Sequence, residues 1–97
     1  MFEFFKNVGN YNDRKLGRHT SDSGIEVSTA FTYDEGYETA LIDKNGVHVV
    51  ERYKDKETAL EGHTKWMKFA DTGVGEVVTC LGTTELGLGT YEIKLSI

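Results

Sequence analysis

Four basic groups, Arg14, Lys15, Arg18 and His19, fall within six residues of a chain whose eleven Lys and Arg face sixteen Asp and Glu, for a net charge of −5. Guanidinium groups fork onto phosphate or carboxylate, and aromatic rings stack on a guanidinium or a base. Arg14, Arg18 and Tyr11, joined by Arg52 and Tyr37 from further along the chain, therefore form the candidate set for an anionic ligand or an acidic partner. On a strand, a separation of four puts Arg14 and Arg18 on one side and turns Lys15 to the other. The competing reading is an edge strand kept from pairing by its charge.

Other chemistry finds less support. Asp34, Glu35, Glu38 and Glu51 offer carboxylates that adjacent strands can bring into one cleft, where acids shift each other's pKa, or else a solvated acidic loop. Asp43 and His48 flank a turn, and a carboxylate across the ladder would favour imidazolium, although a surface pair has little energetic value. His63, beside Trp66, reads as a core histidine with one nitrogen bonded, and Cys80, in Val77-Val78-Thr79-Cys80-Leu81, as a small buried hydrophobe. Ser21, Ser23 and Ser28 lack the glycine-flanked elbow of a serine nucleophile. His19, His48 and His63 lie on separate elements with no metal-binding spacing, and no glycine-rich loop precedes a helix. The expectation is a protein that is not an enzyme and uses neither metal nor cofactor.

The elements that must position these groups follow from periodicity. Asn45-Gly46 suits a type I′ turn, which predicts a hairpin of 37–43 and 47–53 with Asp43 opposite His48 and Ala40 opposite Glu51. Ile25, Val27, Thr29, Phe31 and Tyr33 alternate along one strand, and Asp22-Ser23-Gly24 turns it back on 14–20. Asp55 caps a helix over about 55–70 whose apolar face carries Ala59, Leu60, His63, Trp66, Met67 and Ala70, with Trp66 as its anchor. Gly62, costly inside a helix, predicts close approach to a neighbouring strand. Segments 76–81 and 90–97 add two strands, and Phe2, Phe4 and Phe5 suggest a short amphipathic segment. The predicted fold is α+β: one antiparallel sheet of five or six strands with the helix on one face.

A length of 97 residues suits one domain, 1–97. The negative charge disfavours direct DNA binding, the single cysteine rules out an intrachain disulfide, and no apolar run is long enough to cross a bilayer. These features predict a soluble, intracellular protein without a membrane partner. Apolar residues on both faces of the Asn-Gly hairpin, and a clean alternation in 91–97, predict a homodimer or higher homo-oligomer.

Three segments together resemble a group of small phage and prophage proteins: Tyr37-Glu38-Thr39-Ala40, Val50-Glu51-Arg52-Tyr53, and a helix with Glu57, Ala59, Gly62, His63 and Trp66. The likeness spans roughly residues 25–70 and implies viral or prophage origin, and hence the cytoplasm of an infected bacterial host. It carries no catalytic role. The resulting expectation is a phage-encoded accessory protein that inhibits or sequesters a host component, either a host protein or an anionic nucleotide signal. The alternative is a minor virion or assembly component.

Overall fold

A computed structural model describes residues 15–32, 36–82 and 89–97. The order of elements is β1 (Lys15–Thr20), β2 (Glu26–Thr32), β3 (Gly36–Asp43), β4 (Gly46–Tyr53), α1 (Lys56–Asp71), β5 (Val77–Leu81) and β6 (Thr90–Lys94). The fold is α+β. Strands β1 to β4 form an antiparallel meander, and β5 pairs with β6 in a separate two-stranded sheet. The single sheet of five or six strands is thereby corrected.

The reason for the split lies in β4. Ala40 is opposite Val49 and Thr39 is opposite Glu51, so Val50 is an extra residue in the ladder. Such a bulge bends and twists its strand. Val50, Val78 and Cys80 accordingly meet as side chains in a common core with Ile25, Val27, Leu41, Ala70 and Leu95, instead of β5 extending the β4 ladder.

The hairpin register also differs from expectation. Asp43 is opposite Gly46 and Leu41 opposite His48, so the turn is Lys44-Asn45 rather than Asn45-Gly46. Asp43 Oδ1 accepts the Asn45 N–H at 2.8 Å, drawing the turn one residue earlier. Gly46 then takes the positive φ, +125°, as the first residue of the returning strand.

Helix α1 begins where Asp55 Oδ1 accepts the Thr58 N–H at 2.8 Å. At its other end the Ser23 hydroxyl donates to the Ala70 carbonyl, and Asp71 Oδ1 accepts the Asp22 N–H at 2.9 Å. The β1–β2 turn thus ties down the last turn of the helix, where the Ala70 carbonyl also accepts the Gly73 N–H at 3.1 Å. Ala59 and Ala70 are fully buried, but Leu60, expected on the apolar face, is 44% exposed. Trp66 is partly buried, packed edge-on against Phe69. Gly62 is where the helix and sheet touch: a Cβ there would overlap the Tyr53 ring.

No helix among the described residues is long and apolar enough to cross a membrane. Phe2, Phe4 and Phe5, expected in a short amphipathic segment, lie outside the described residues.

Candidate functional site

Alternation and register sort the candidate residues onto two faces of the meander. Arg18 and Arg52 stand on the face turned away from α1. Arg18 Nε donates to Glu26 Oε1 at 2.7 Å, and Arg52 Nε donates to Glu38 Oε2 at 2.8 Å, with Nη2 reaching the Gly82 carbonyl at 3.2 Å. They occupy the two outer strands, three strand spacings or roughly 14 Å apart. Tyr37 lies on the opposite face, register-paired with Phe31 and Tyr53, its ring edge-on to Phe31. Tyr11 and Arg14 lie outside the described residues.

The described candidates are therefore not brought together. The basic cluster is divided as well, with Arg18 facing away from α1 and His19 facing His63 on the helix. The Val50 bulge explains why Arg52 departs from Tyr37 and Thr39, since one extra residue moves every later side chain of β4 to the other face. It also separates Glu38 from Glu51, so that pair of carboxylates shares no cleft. Asp34 and Glu35 lie outside the described residues.

What the fold does assemble, between α1 and the sheet, is a connected row of polar side chains. His19 Nδ1 lies 2.8 Å from His63 Nε2, and His63 Nδ1 lies 2.8 Å from Thr29 Oγ1. Thr29 bonds Thr39 across the ladder, and Thr39 Oγ1 is 3.0 Å from the Tyr53 hydroxyl. That hydroxyl is 3.0 Å from Glu51 Oε1, which also accepts from Trp66 Nε1 at 2.8 Å and Lys65 Nζ at 2.6 Å. Thr29 and Thr39 are fully buried. Both nitrogens of His63 are engaged, one more than expected.

Electrostatics follow from this arrangement. Burial alone would raise the Glu51 carboxyl, but bonds from Lys65, Trp66 and Tyr53 outweigh it and hold the group below the ordinary carboxylate value. Burial first, then the Glu51 charge, push the Tyr53 phenol up to about 12. Burial and the neighbouring His19 lower His63. The row is legible in the sequence only as polar residues at core positions of the β2 and β3 alternation, Thr29 and Thr39, and the reading of a metal-free interior histidine did not extend to them. Among the described residues no group of three His, Cys, Asp or Glu could hold a metal ion.

A second polar cluster joins the β3–β4 tip to the C-terminal hairpin. His48 Nε2 lies 3.3 Å from Asp43 Oδ1, too poorly aligned for a hydrogen bond, and both side chains are almost wholly covered, contrary to the surface pair expected from sequence. His48 Nδ1 is 3.4 Å from the Tyr91 hydroxyl, and Cys80 behind it is fully buried with its thiol pushed up by burial. A raised thiol in a closed core is a poor nucleophile. Burial tends to raise Asp43, but the Ser96 and Asn45 N–H groups and His48 outweigh it and lower the carboxyl.

Asp43→Ala leaves those two N–H groups without their acceptor and is expected to cost about 2 kcal/mol. The folded pKa lies below the ordinary Asp value, so this contribution is complete above the unfolded value and disappears as pH falls through the folded one. Urea denaturation of wild type and variant at pH 7 and pH 3 measures both parts. Equal stability at pH 7 would remove Asp43 from this role.

Two apolar surfaces complete the inventory. Half-buried Ala30, Ile42 and Val49 and exposed Val47, at 64%, lie on the face away from α1, between the Arg18–Glu26 and Arg52–Glu38 pairs, with Ala40 buried among them. A groove of about 520 Å³ lies between α1 and β5, lined by Val50, Trp66, Phe69, Val78 and Leu81 with Lys65 at its rim. Comparison of the chain with protein-family models, with curated proteins and with solved structures found no match.

Proposed function

We propose that the protein is a non-enzymatic accessory protein of a phage or prophage that binds a host protein stoichiometrically in the infected cytoplasm and inhibits or sequesters it. The observation that carries this reading is the sheet face away from α1. Exposed Val47 and half-buried Ala30, Ile42 and Val49 lie between two cross-strand ion pairs, the apolar centre and polar rim that a protein contact surface has. A small anionic ligand is less well served, because Arg18 and Arg52 each already face a carboxylate and stand far apart. The polar row beneath α1 supports a holding role rather than catalysis, since its members bond one another. It contains Thr39, Glu51, Tyr53, His63 and Trp66, positions that carry the phage resemblance.

The test is capture from infected cells with the wild-type chain and with Val47→Glu. A host protein should be recovered in near-equimolar amount with wild type and fall at least about tenfold with V47E, a loss of about 1.4 kcal/mol in binding, while the melting temperature stays the same. Recovery of a nucleotide would favour the sequestering alternative, and cosedimentation with particles would favour a virion component. Either result, or full recovery by V47E, overturns this reading.

A further inference from the structure

The row that begins at Glu51 ends on a pair of histidines. The Tyr53 hydroxyl is the donor toward both neighbours at 3.0 Å, Glu51 Oε1 and Thr39 Oγ1, so its one proton serves one of them at a time. Thr39 and Thr29 share a proton between their oxygens, and Thr29 Oγ1 meets His63 Nδ1. Across the 2.8 Å contact between His19 Nδ1 and His63 Nε2, one nitrogen must carry a proton and the other must be bare.

We propose that the His19–His63 pair is a pH-operated latch between edge strand β1 and helix α1, closed while neither or one ring is protonated and opened when both are. With one extra proton, one ring still donates and the other still accepts. With two, N–H points at N–H across 2.8 Å and the bond is lost.

The structure is built to seat the pair. The rings meet edge to face, centroids 5.0 Å apart, above Gly17, where a Cβ would stand 3.2 Å from His19 Cε1 and 3.3 Å from His63 Nε2. The turn after β1 is held separately, by Ser21, Ser23 and Asp22 at the far end of α1, so opening releases the body of the strand and leaves its end attached. The titratable and charged groups turned toward the pair's side of the sheet are Tyr37 and Asp43 on β3 and His48, Glu51 and Tyr53 on β4, with Lys65 on the helix itself; β2 presents the Thr29 hydroxyl. Because burial and His19 both lower His63, its contribution is complete above the unfolded value of about 6.5 and is lost as pH falls through the folded one.

Nitrogen-detected imidazole spectra and amide exchange of the full chain test the latch. At pH 8, one of His19 Nδ1 and His63 Nε2 should carry a proton and the other should be bare. Between pH 7 and pH 5 the protection of β1 amides, corrected for intrinsic exchange, should fall about tenfold, with less change in β2 and β3. His19→Gln, at an exposed site, retains an N–H donor that never titrates and should keep β1 protected at pH 5. Facing nitrogens of His19 and His63 both protonated or both bare at pH 8, wild-type protection independent of pH, or an unchanged pH dependence in H19Q would each overturn the proposal.

Discussion

Gly62→Ala should destabilise the domain by more than about 3 kcal/mol, opposite in sign to the same change at an ordinary helix site. At a free position inside a helix, alanine replaces glycine with a gain of roughly 1 kcal/mol, because it loses less backbone entropy. At position 62 the new Cβ overlaps the hydroxyl, Cζ and Cε1 of Tyr53. Tyr53 cannot swing aside cheaply: it is 7% exposed, and its hydroxyl is bonded to Thr39 and Glu51. Either α1 lifts from the sheet or the ring leaves its partners. In a Tyr53→Leu background the overlapping atoms are gone, and G62A should then be neutral or slightly stabilising, which gives a large coupling between the two sites. Chemical denaturation of the four proteins measures it, and a G62A variant within 0.5 kcal/mol of wild type would refute the contact.

The contact at Gly62 was legible because a glycine costs stability inside a helix and so demands a reason. The helix was equally legible, since Asp55 and the three-four spacing of Ala59, His63, Trp66 and Ala70 state a start and a face. The β4 bulge was not. Val49 and Val50 are both apolar and β-branched, and nothing in Val47-His48-Val49-Val50-Glu51 marks which one lacks a partner. That single residue decides that Arg52 faces away from α1 while Glu51 faces Trp66, and so it decides which of the candidate side chains meet. The turn register escaped for a related reason. Asn-Gly is the strongest short hairpin signal, but the Asp43 side chain competes by bonding the Asn45 N–H, and it wins.

The polar row shows how a segment can read as one thing and act as another. Threonine is a good strand residue, so Thr29 and Thr39 fit their strands without comment from propensity. Their burial became evident only once register set them opposite each other beneath His63. Lone buried hydroxyls would each be costly, whereas a row in which every proton has an acceptor is tolerated and selects one packing of helix on sheet. Glu51, Tyr53, Gly62, His63 and Trp66 all belong to this contact between α1 and the sheet.

Glu51 is the end on which that row depends, and Glu51→Ala should cost about 3 kcal/mol at neutral pH. Three donors lose their acceptor, but not equally. Lys65 is more than half exposed and turns to water, so its share is small. The Trp66 indole N–H and the Tyr53 hydroxyl are enclosed by helix and sheet, and each orphaned group costs roughly 1–3 kcal/mol. Glu51→Gln keeps a carbonyl for one of them and should cost about half as much. The pH dependence separates charge from shape. The folded carboxyl titrates below the ordinary Glu value, so its contribution is complete above the unfolded value and is lost as pH falls through the folded one. Wild type should therefore lose stability toward pH 3 more steeply than E51Q, and the two should converge at the acid end. Parallel acid profiles, or an E51A variant as stable as wild type at pH 7, would show that the indole and the phenol find other acceptors and that the row does not hold the helix to the sheet.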